Sequence, residues 1–224
     1  MKSKLSTVLT ALPLAALTLA LTVSAQATLV YLADNTGQTE FSTSSSTNTD
    51  WQAQAFTTTA TAYTLTDVAL PLCNSTARTG TFALSIYDST GTGGAPGGWV
   101  TDVRDSIDAA TIGLATALYD VPGLSIVLNP STSYFLVLKG TALVGESLGI
   151  EWSYTDALEG VGFPSAYFAS SDSGGTWGAP SDVYSNMMRI QASFTAVPEP
   201  SGTLALGGLL VSALFLRTRR GIRA

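Results

Sequence analysis

The sequence predicts an all-β chain: a single β-sandwich, expected to be jelly-roll-like, between an N-terminal leader and a C-terminal apolar segment. Three observations carry this. Apolar residues alternate with polar ones over short runs, the period of a strand with one buried face. Gly, Pro, Asn and Ser punctuate those runs at turn positions, and helical spacing is confined to one stretch. The two ends differ in composition from the middle and are set aside before the fold is read. What remains, residues 28–196, is 169 residues long, enough for one domain with a core of its own. No repeat of about 20–50 residues marks a solenoid or propeller.

In order along the chain, Leu29-Val30-Tyr31-Leu32 is a short first strand. Residues 36–50, rich in Ser and Thr without an apolar period, are expected to form a mobile polar loop. In residues 51–58, Trp51, Ala53 and Ala55 share one face and Phe56 switches it. Tyr63, Leu65, Asp67 and Ala69 then oppose Val68, Leu70 and Leu72, a strand whose faces do not sort cleanly. Residues 81–87 alternate well, with Phe82, Leu84 and Ile86 pointing one way. The Gly-rich stretch 88–98 is read as a flexible hairpin connection, because it lacks the Gly-Lys-Ser/Thr ending and following helix of a phosphate cradle. Ile107, Ala110, Leu114 and Leu118 keep helical spacing, so residues 104–119 are expected to be irregular or a short helix. Pro122-Gly123 and Asn129-Pro130 are read as turns on either side of a strand at 124–128. Strands at 134–138, 148–154, 166–169 and 188–194 complete the domain.

Composition narrows the chemistry. Residues 28–196 hold four basic side chains (Arg78, Arg104, Lys139 and Arg189) against fifteen acidic ones, a formal charge of −11. That balance argues against nucleic acid as a partner, because its backbone needs clustered Lys and Arg. There is no histidine, which removes the Ser-His-Asp and Cys-His hydrolase designs and the usual zinc sites. The single cysteine, Cys73, cannot make an internal disulfide. It is read as a small apolar residue ending a strand, with an intermolecular bridge as the alternative.

The ends read as addresses. Lys2 and Lys4, an apolar core at 12–23 and the small-x-small site Ala25-Gln26-Ala27 have the order of a secretory signal peptide, residues 1–27. At the other end, Val197-Pro198-Glu199-Pro200-Ser201 precedes an uncharged apolar run at 202–216, then Arg217, Arg219, Arg220 and Arg223. The prolines disfavour a helix entering from upstream. As a helix the 15-residue run reaches about 22 Å, at about 1.5 Å per residue, against a bilayer core of about 30 Å. It is a marginal permanent span, and its arginines favour a cytoplasmic C-terminus.

This tail, residues 197–224, resembles the PEP-CTERM sorting signal of Gram-negative bacteria. The resemblance implies passage through the inner membrane, recognition and removal of the tail by an exosortase, and a setting at the cell surface or in an exopolysaccharide or biofilm matrix. An ordinary single-pass anchor is the alternative. Residues 31–194 are similar to the choice-of-anchor domains, type R. The similar residues are Gln54-Ala55-Phe56, Tyr63-x-Leu65-x-x-Val68-x-Leu70, Leu84-x-Ile86-Tyr87-Asp88 and Tyr134-Phe135-Leu136-Val137-Leu138. That family implies a β-rich exported domain without an assigned activity, so neither catalysis nor a cofactor is expected.

Ser170-Ser171-Asp172-Ser173-Gly174-Gly175-Thr176-Trp177 matches the Asp-box pattern Ser-x-Asp-x-Gly-x-Thr-Trp. It is expected to be a structural hairpin turn in which Asp172 accepts turn amides, Gly174 takes a positive φ and Trp177 packs beneath. One copy implies neither a propeller nor a glycosidase. Trp99 and Trp177, both in Gly-rich loops, are the candidates for glycan contact. Asp102, Asp105, Asp108, Glu146, Glu151, Asp156 and Glu159 could supply a two-carboxylate glycosidase or a calcium ion. No loop has the spaced ligands of a calcium motif, and solvated carboxylates are the simpler reading. The expected role is structural or adhesive at the cell surface; the alternatives are a secreted carbohydrate-binding module and a glycosidase using two carboxylates.

Overall fold

A computed structural model describes residues 27–145, 148–162 and 167–195. In chain order the strands are β1 (Ala27–Asp34), β2 (Ser42–Ser46), β3 (Trp51–Thr57), β4 (Tyr63–Cys73), β5 (Thr81–Asp88) and β6 (Trp99–Asp108). They continue as β7 (Ala117–Leu128), β8 (Ser133–Gly140), β9 (Ile150–Thr155), β10 (Tyr167–Ser170), β11 (Ser185–Asn186) and β12 (Arg189–Thr195). One sheet runs β1-β12-β4-β9-β11, with β7 on β4 and β2 on β9; the other runs β10-β3-β8-β5-β6. All the pairings are antiparallel.

The alternation read from the sequence becomes a sandwich because each sheet turns an apolar face to the other. Phe56, Phe82, Leu84, Ile86, Leu136 and Leu138 of the five-stranded sheet share one core with Leu65, Leu70, Leu72, Val121, Trp152 and Ile190 of the larger sheet. Trp152 is fully buried, and its indole N–H donates to the Met187 carbonyl at 2.6 Å, so its polar edge is satisfied inside the core. Cys73 ends β4 and is buried; burial, opposed by a hydrogen bond with Thr116, pushes its thiol above the ordinary range.

The unsorted faces of β4 have a structural cause. Leu65 and Asp67 pair with the consecutive β12 residues Ala192 and Gln191, a bulge on β4 at the point where its register against β7 also shifts. One extra residue flips the face of everything beyond it, so Tyr63 and Leu65 join Val68, Leu70 and Leu72 in the same core.

Several expectations are corrected. The first strand runs from Ala27 to Asp34 rather than over 29–32, because its partner β12 is long enough to pair with all of it. Residues 36–50 are not a continuous loop: β2 pairs with β9 from Ser42↔Tyr154 to Ser46↔Ile150. Its hydroxyls replace the missing apolar period, as Thr43 donates to Glu151 at 2.8 Å and Ser44 to the Trp152 carbonyl at 3.4 Å. The helical spacing at 104–119 is not realised. β6 continues to Asp108, a 3-10 turn occupies Ala109–Thr111, β7 begins at Ala117, and Leu114 and Leu118 are exposed. Pro122-Gly123 does not separate two elements but lies inside β7 at the register shift, with Gly123 at φ +73°.

The leader, with Lys2, Lys4 and Ala25, and the tail, with Val197, Pro198, Glu199, Pro200, Arg217, Arg219 and Arg220, lie outside the described residues. So do Glu146 and Ala166. Ala27 is the first residue of β1. Among the described residues no helix is long and apolar enough to cross a membrane.

β3 and β8 are buried on both faces. Gln52 to Phe56 and Tyr134 to Leu138 are all buried, and Ala53, Ala55, Phe135, Val137 and Phe168 form a second, smaller core on the outer face of their sheet. Phe135→Ala should therefore cost about 3–5 kcal/mol, as a core truncation does, in urea unfolding monitored by tryptophan fluorescence. A loss below about 1 kcal/mol would mean that the outer face packs as surface.

Candidate functional site

A row of aromatic and charged side chains crosses the outer face of the five-stranded sheet. Strand alternation puts Trp51 on the face of Ala53 and Ala55, and Lys139 on the face of Phe135 and Val137. The pairing Gln52↔Leu138 brings those two residues side by side. Ser85 is paired with both Val137 and Asp102, and Tyr87 with Trp99, which carries the row from β3 through β8 and β5 to β6. Four strands span about 14 Å at an inter-strand spacing of about 4.8 Å.

The row is held together by charge and by hydrogen bonds. The Lys139 ammonium lies 5.4 Å from the Trp51 ring centre and 5.5 Å from that of Tyr87, within cation–π range. It also donates to the Tyr87 hydroxyl at 3.5 Å and stands 3.7 Å from Asp102 Oδ1. Ser85 donates to that same oxygen at 2.5 Å and the Trp99 indole N–H donates to it at 3.0 Å. Burial acts to raise the Asp102 pKa, but the Ser85 and Trp99 donors and the Lys139 charge outweigh it and hold the carboxyl below the ordinary range. For Lys139 the balance goes the other way: burial lowers its pKa, and Asp102 offsets this only in part. Burial, reinforced by the Asp102 charge, raises Tyr87. The lowered Asp102 carboxyl is ionised at neutral pH and stands 3.7 Å from the Lys139 nitrogen.

Two loops frame the row. In the 88–98 connection, Asp88 Oδ1 accepts from the Thr90 amide at 3.0 Å, the Thr90 hydroxyl at 2.6 Å and the Gly98 amide at 2.8 Å, closing the hairpin that starts β6 at Trp99. The stretch is a hairpin connection, as its sequence indicates.

The Asp-box loop is organised around Asp172. Asp172 Oδ1 accepts from the Ser170 hydroxyl at 2.8 Å and the Thr176 amide at 2.7 Å, and Oδ2 accepts from the Thr176 hydroxyl at 2.7 Å. The Gly178 amide returns to the Ala169 carbonyl at 2.8 Å, closing the turn. Gly174 has φ +79°, and a Cβ there would fall 2.6 Å from the Trp51 ring, so glycine is needed both for the turn and for its seat on Trp51. Trp177 packs against the outer-face core. It also lines an open groove of about 460 Å³ with Ser45, Asp50, Gln52, Ser170 and Thr176.

The sequence-named residues thus separate. Trp99 is 56 % exposed and belongs to the row, whereas Trp177 is half-buried and braces the sheet. Of the carboxylates, Asp102 joins the row. Asp108 caps the 3-10 turn through the Ala110 amide at 2.9 Å, and Asp105, Asp156 and Glu159 are exposed. Glu151 is buried and is held by Thr43, Ser75 and Cys73. Among the described residues no three His, Cys, Asp or Glu side chains group as a metal ion would require. Ser85 and Lys139 were not legible as site residues, and Trp51 and Tyr87 were candidates for sugar stacking only as members of the whole set of tryptophans and tyrosines. The one signal was their alternation with buried neighbours, which gives a face but not the strand lying beside it.

No family model matches the chain, and no curated protein matches it. A solved structure described as "Structure of infectious bursal disease virus Gx strain" aligns over 90 % of this chain and 51 % of that one, at 14 % identity and a TM-score of 0.32. This chain spans about half the length of that one, and a likeness at that level carries no argument.

Asp172 sits below the ordinary carboxylate range because the Thr176 amide and hydroxyl and the Ser170 hydroxyl all donate to it. Its contribution to the loop is complete above the unfolded-state value of about 3.9 and is lost as pH falls through the lower folded value. Asp172→Asn should remove most of the hydrogen-exchange protection of the Thr176 amide while leaving the β8 amides unchanged. Unaltered protection at Thr176 would show that the carboxylate does not hold the turn.

Proposed function

We propose that this is an exported, non-catalytic adhesive protein of the cell surface or extracellular matrix. Its β-sandwich holds polysaccharide on the outer face of the five-stranded sheet. The observation that carries the reading is the row Trp51–Lys139–Tyr87–Asp102–Trp99. Aromatic faces stack on the apolar C–H faces of sugar rings, while a carboxylate and a phenol beside them meet the hydroxyls, so a strip of both kinds suits a carbohydrate chain. About 14 Å of such surface accommodates a few sugar residues rather than one. The nested pairings β1-β12-β4-β7 against β3-β8-β5-β6 support a jelly-roll reading, an architecture that includes lectin domains.

Export and processing rest on the order of the terminal segments. The leader delivers the chain across the inner membrane, and the Pro-Glu-Pro, apolar and Arg-rich tail is the substrate of an exosortase. The domain's excess of acidic residues keeps the released protein soluble and indifferent to nucleic acid.

Affinity electrophoresis of the secreted protein through gels containing soluble polysaccharides should show retardation by at least one. Trp99→Ala and Tyr87→Ala should each weaken that binding about tenfold, with melting curves showing that both variants remain folded. Equal retardation of the variants and the parent would remove the row from the function. Mass spectrometry tests the tail: protein released by an exosortase-bearing host should lack Arg217, Arg219 and Arg220. Those arginines should remain in a host without the enzyme, and their retention in both hosts would favour a lasting anchor.

A further inference from the structure

We infer that Asp102 is the hydroxyl-reading residue of this surface and that its ligand is a neutral rather than an acidic polysaccharide; the inference rests on the glycan-binding reading above. The first half follows from how Asp102 is engaged. The Ser85 hydroxyl, the Trp99 indole N–H and the Lys139 ammonium all converge on Oδ1. Oδ2 takes no hydrogen bond from any described residue, and the side chain is 31 % exposed. An ionised carboxylate oxygen with open lone pairs is an acceptor only, and hydroxyl protons are the donors that a neutral sugar offers it. The bond that saturates Oδ1 also fixes the Trp99 ring, which is 56 % exposed, relative to Oδ2. A sugar laid on that ring would place an edge hydroxyl at the carboxylate, with the aromatic and polar contacts already oriented before binding.

The second half follows from the balance of charge at and around the row. Lys139, the cation of the row, is 14 % exposed and committed to Asp102. Arg189 is shared between Asp67 and Asp120 at 3.2 and 2.7 Å. Arg78 is buried, and exposed Arg104 lines a groove beside Trp99 together with two carboxylates, Asp102 and Asp105, so the charge there is negative on balance. An acidic polymer would approach a domain of formal charge −11 and meet Asp102 itself on the row. A chain of uncharged sugars meets no such repulsion, and the same carboxylate attracts its hydroxyls.

The test uses the secreted protein with two kinds of probe, neutral xyloglucan and galactomannan on one side and alginate and polygalacturonate on the other. Binding is measured by isothermal titration at 20 mM and 500 mM NaCl. At least one neutral probe should bind with an affinity that changes less than threefold with salt, and neither acidic probe should bind more tightly than it. Asp102→Ala should weaken neutral binding at least tenfold. Asp102→Asn, which keeps the shape and one carbonyl acceptor, should fall between it and the parent, and melting curves would separate lost binding from lost folding. Acidic probes binding more tightly than neutral ones, with affinity lost at 500 mM NaCl, would overturn the neutral assignment and leave the platform reading standing. Parent-like binding by both Asp102 variants would overturn the role of Asp102 alone. If neither kind of probe binds, the inference and the reading beneath it fail together.

Discussion

The double burial of β3 and β8 is the constraint on which the rest of this domain depends. A sheet with one face in a core can leave the other to water. Here residues on both faces of the two central strands are buried, and the outer cluster of Ala53, Ala55, Phe135, Val137 and Phe168 must be covered. β10 supplies Phe168, the Asp-box loop supplies Trp177 and the Gly-rich connection supplies Ala95. Two segments that look like flexible loops are therefore parts of a packing layer. Their internal hydrogen bonds, centred on Asp172 and Asp88, give each the shape that covering requires.

Where this cover ends, the row begins. Trp51 and Tyr87 are partly buried against the outer cluster and partly open, and Lys139 lies near both rings. Asp102 ties Lys139 to Trp99 at the outermost strand. The geometry of the candidate site is thus inherited from the small core beside it, so its side chains are oriented by packing rather than by a mobile loop.

The interior is less apolar near one end of the sandwich. Asn35 accepts from the Met188 amide at 2.7 Å and donates to the Asn186 carbonyl at 3.3 Å. Gln54 accepts from the Asn186 amide at 2.8 Å, and Tyr167 donates to Gln52. These residues join β3 of one sheet to the segment around β11 of the other. A buried amide is stable only with its partners in place, so such a network selects one register where apolar packing alone would tolerate several. It also explains how Gln52 and Gln54 share the inward face with Phe56.

The sequence by itself determined the class of fold, because a period-two pattern broken by turn residues has one stable outcome in a domain of this size. It also determined the Asp-box turn and the 88–98 hairpin, since both are built from hydrogen bonds between residues close in the chain. Composition alone removed histidine chemistry and an internal disulfide. The tertiary structure decided what depends on which strands lie side by side. Ser42–Ser46 became a strand because β9 was beside it, and the helical spacing around Leu114 gave way because β4 offered β7 a partner. Trp51, Lys139, Tyr87 and Asp102 come from four strands spread over about half the domain. Nothing local to any one of them signals the others. Of the two tryptophans that loop composition singled out, only packing could place Trp99 in the open row and Trp177 against the sheet.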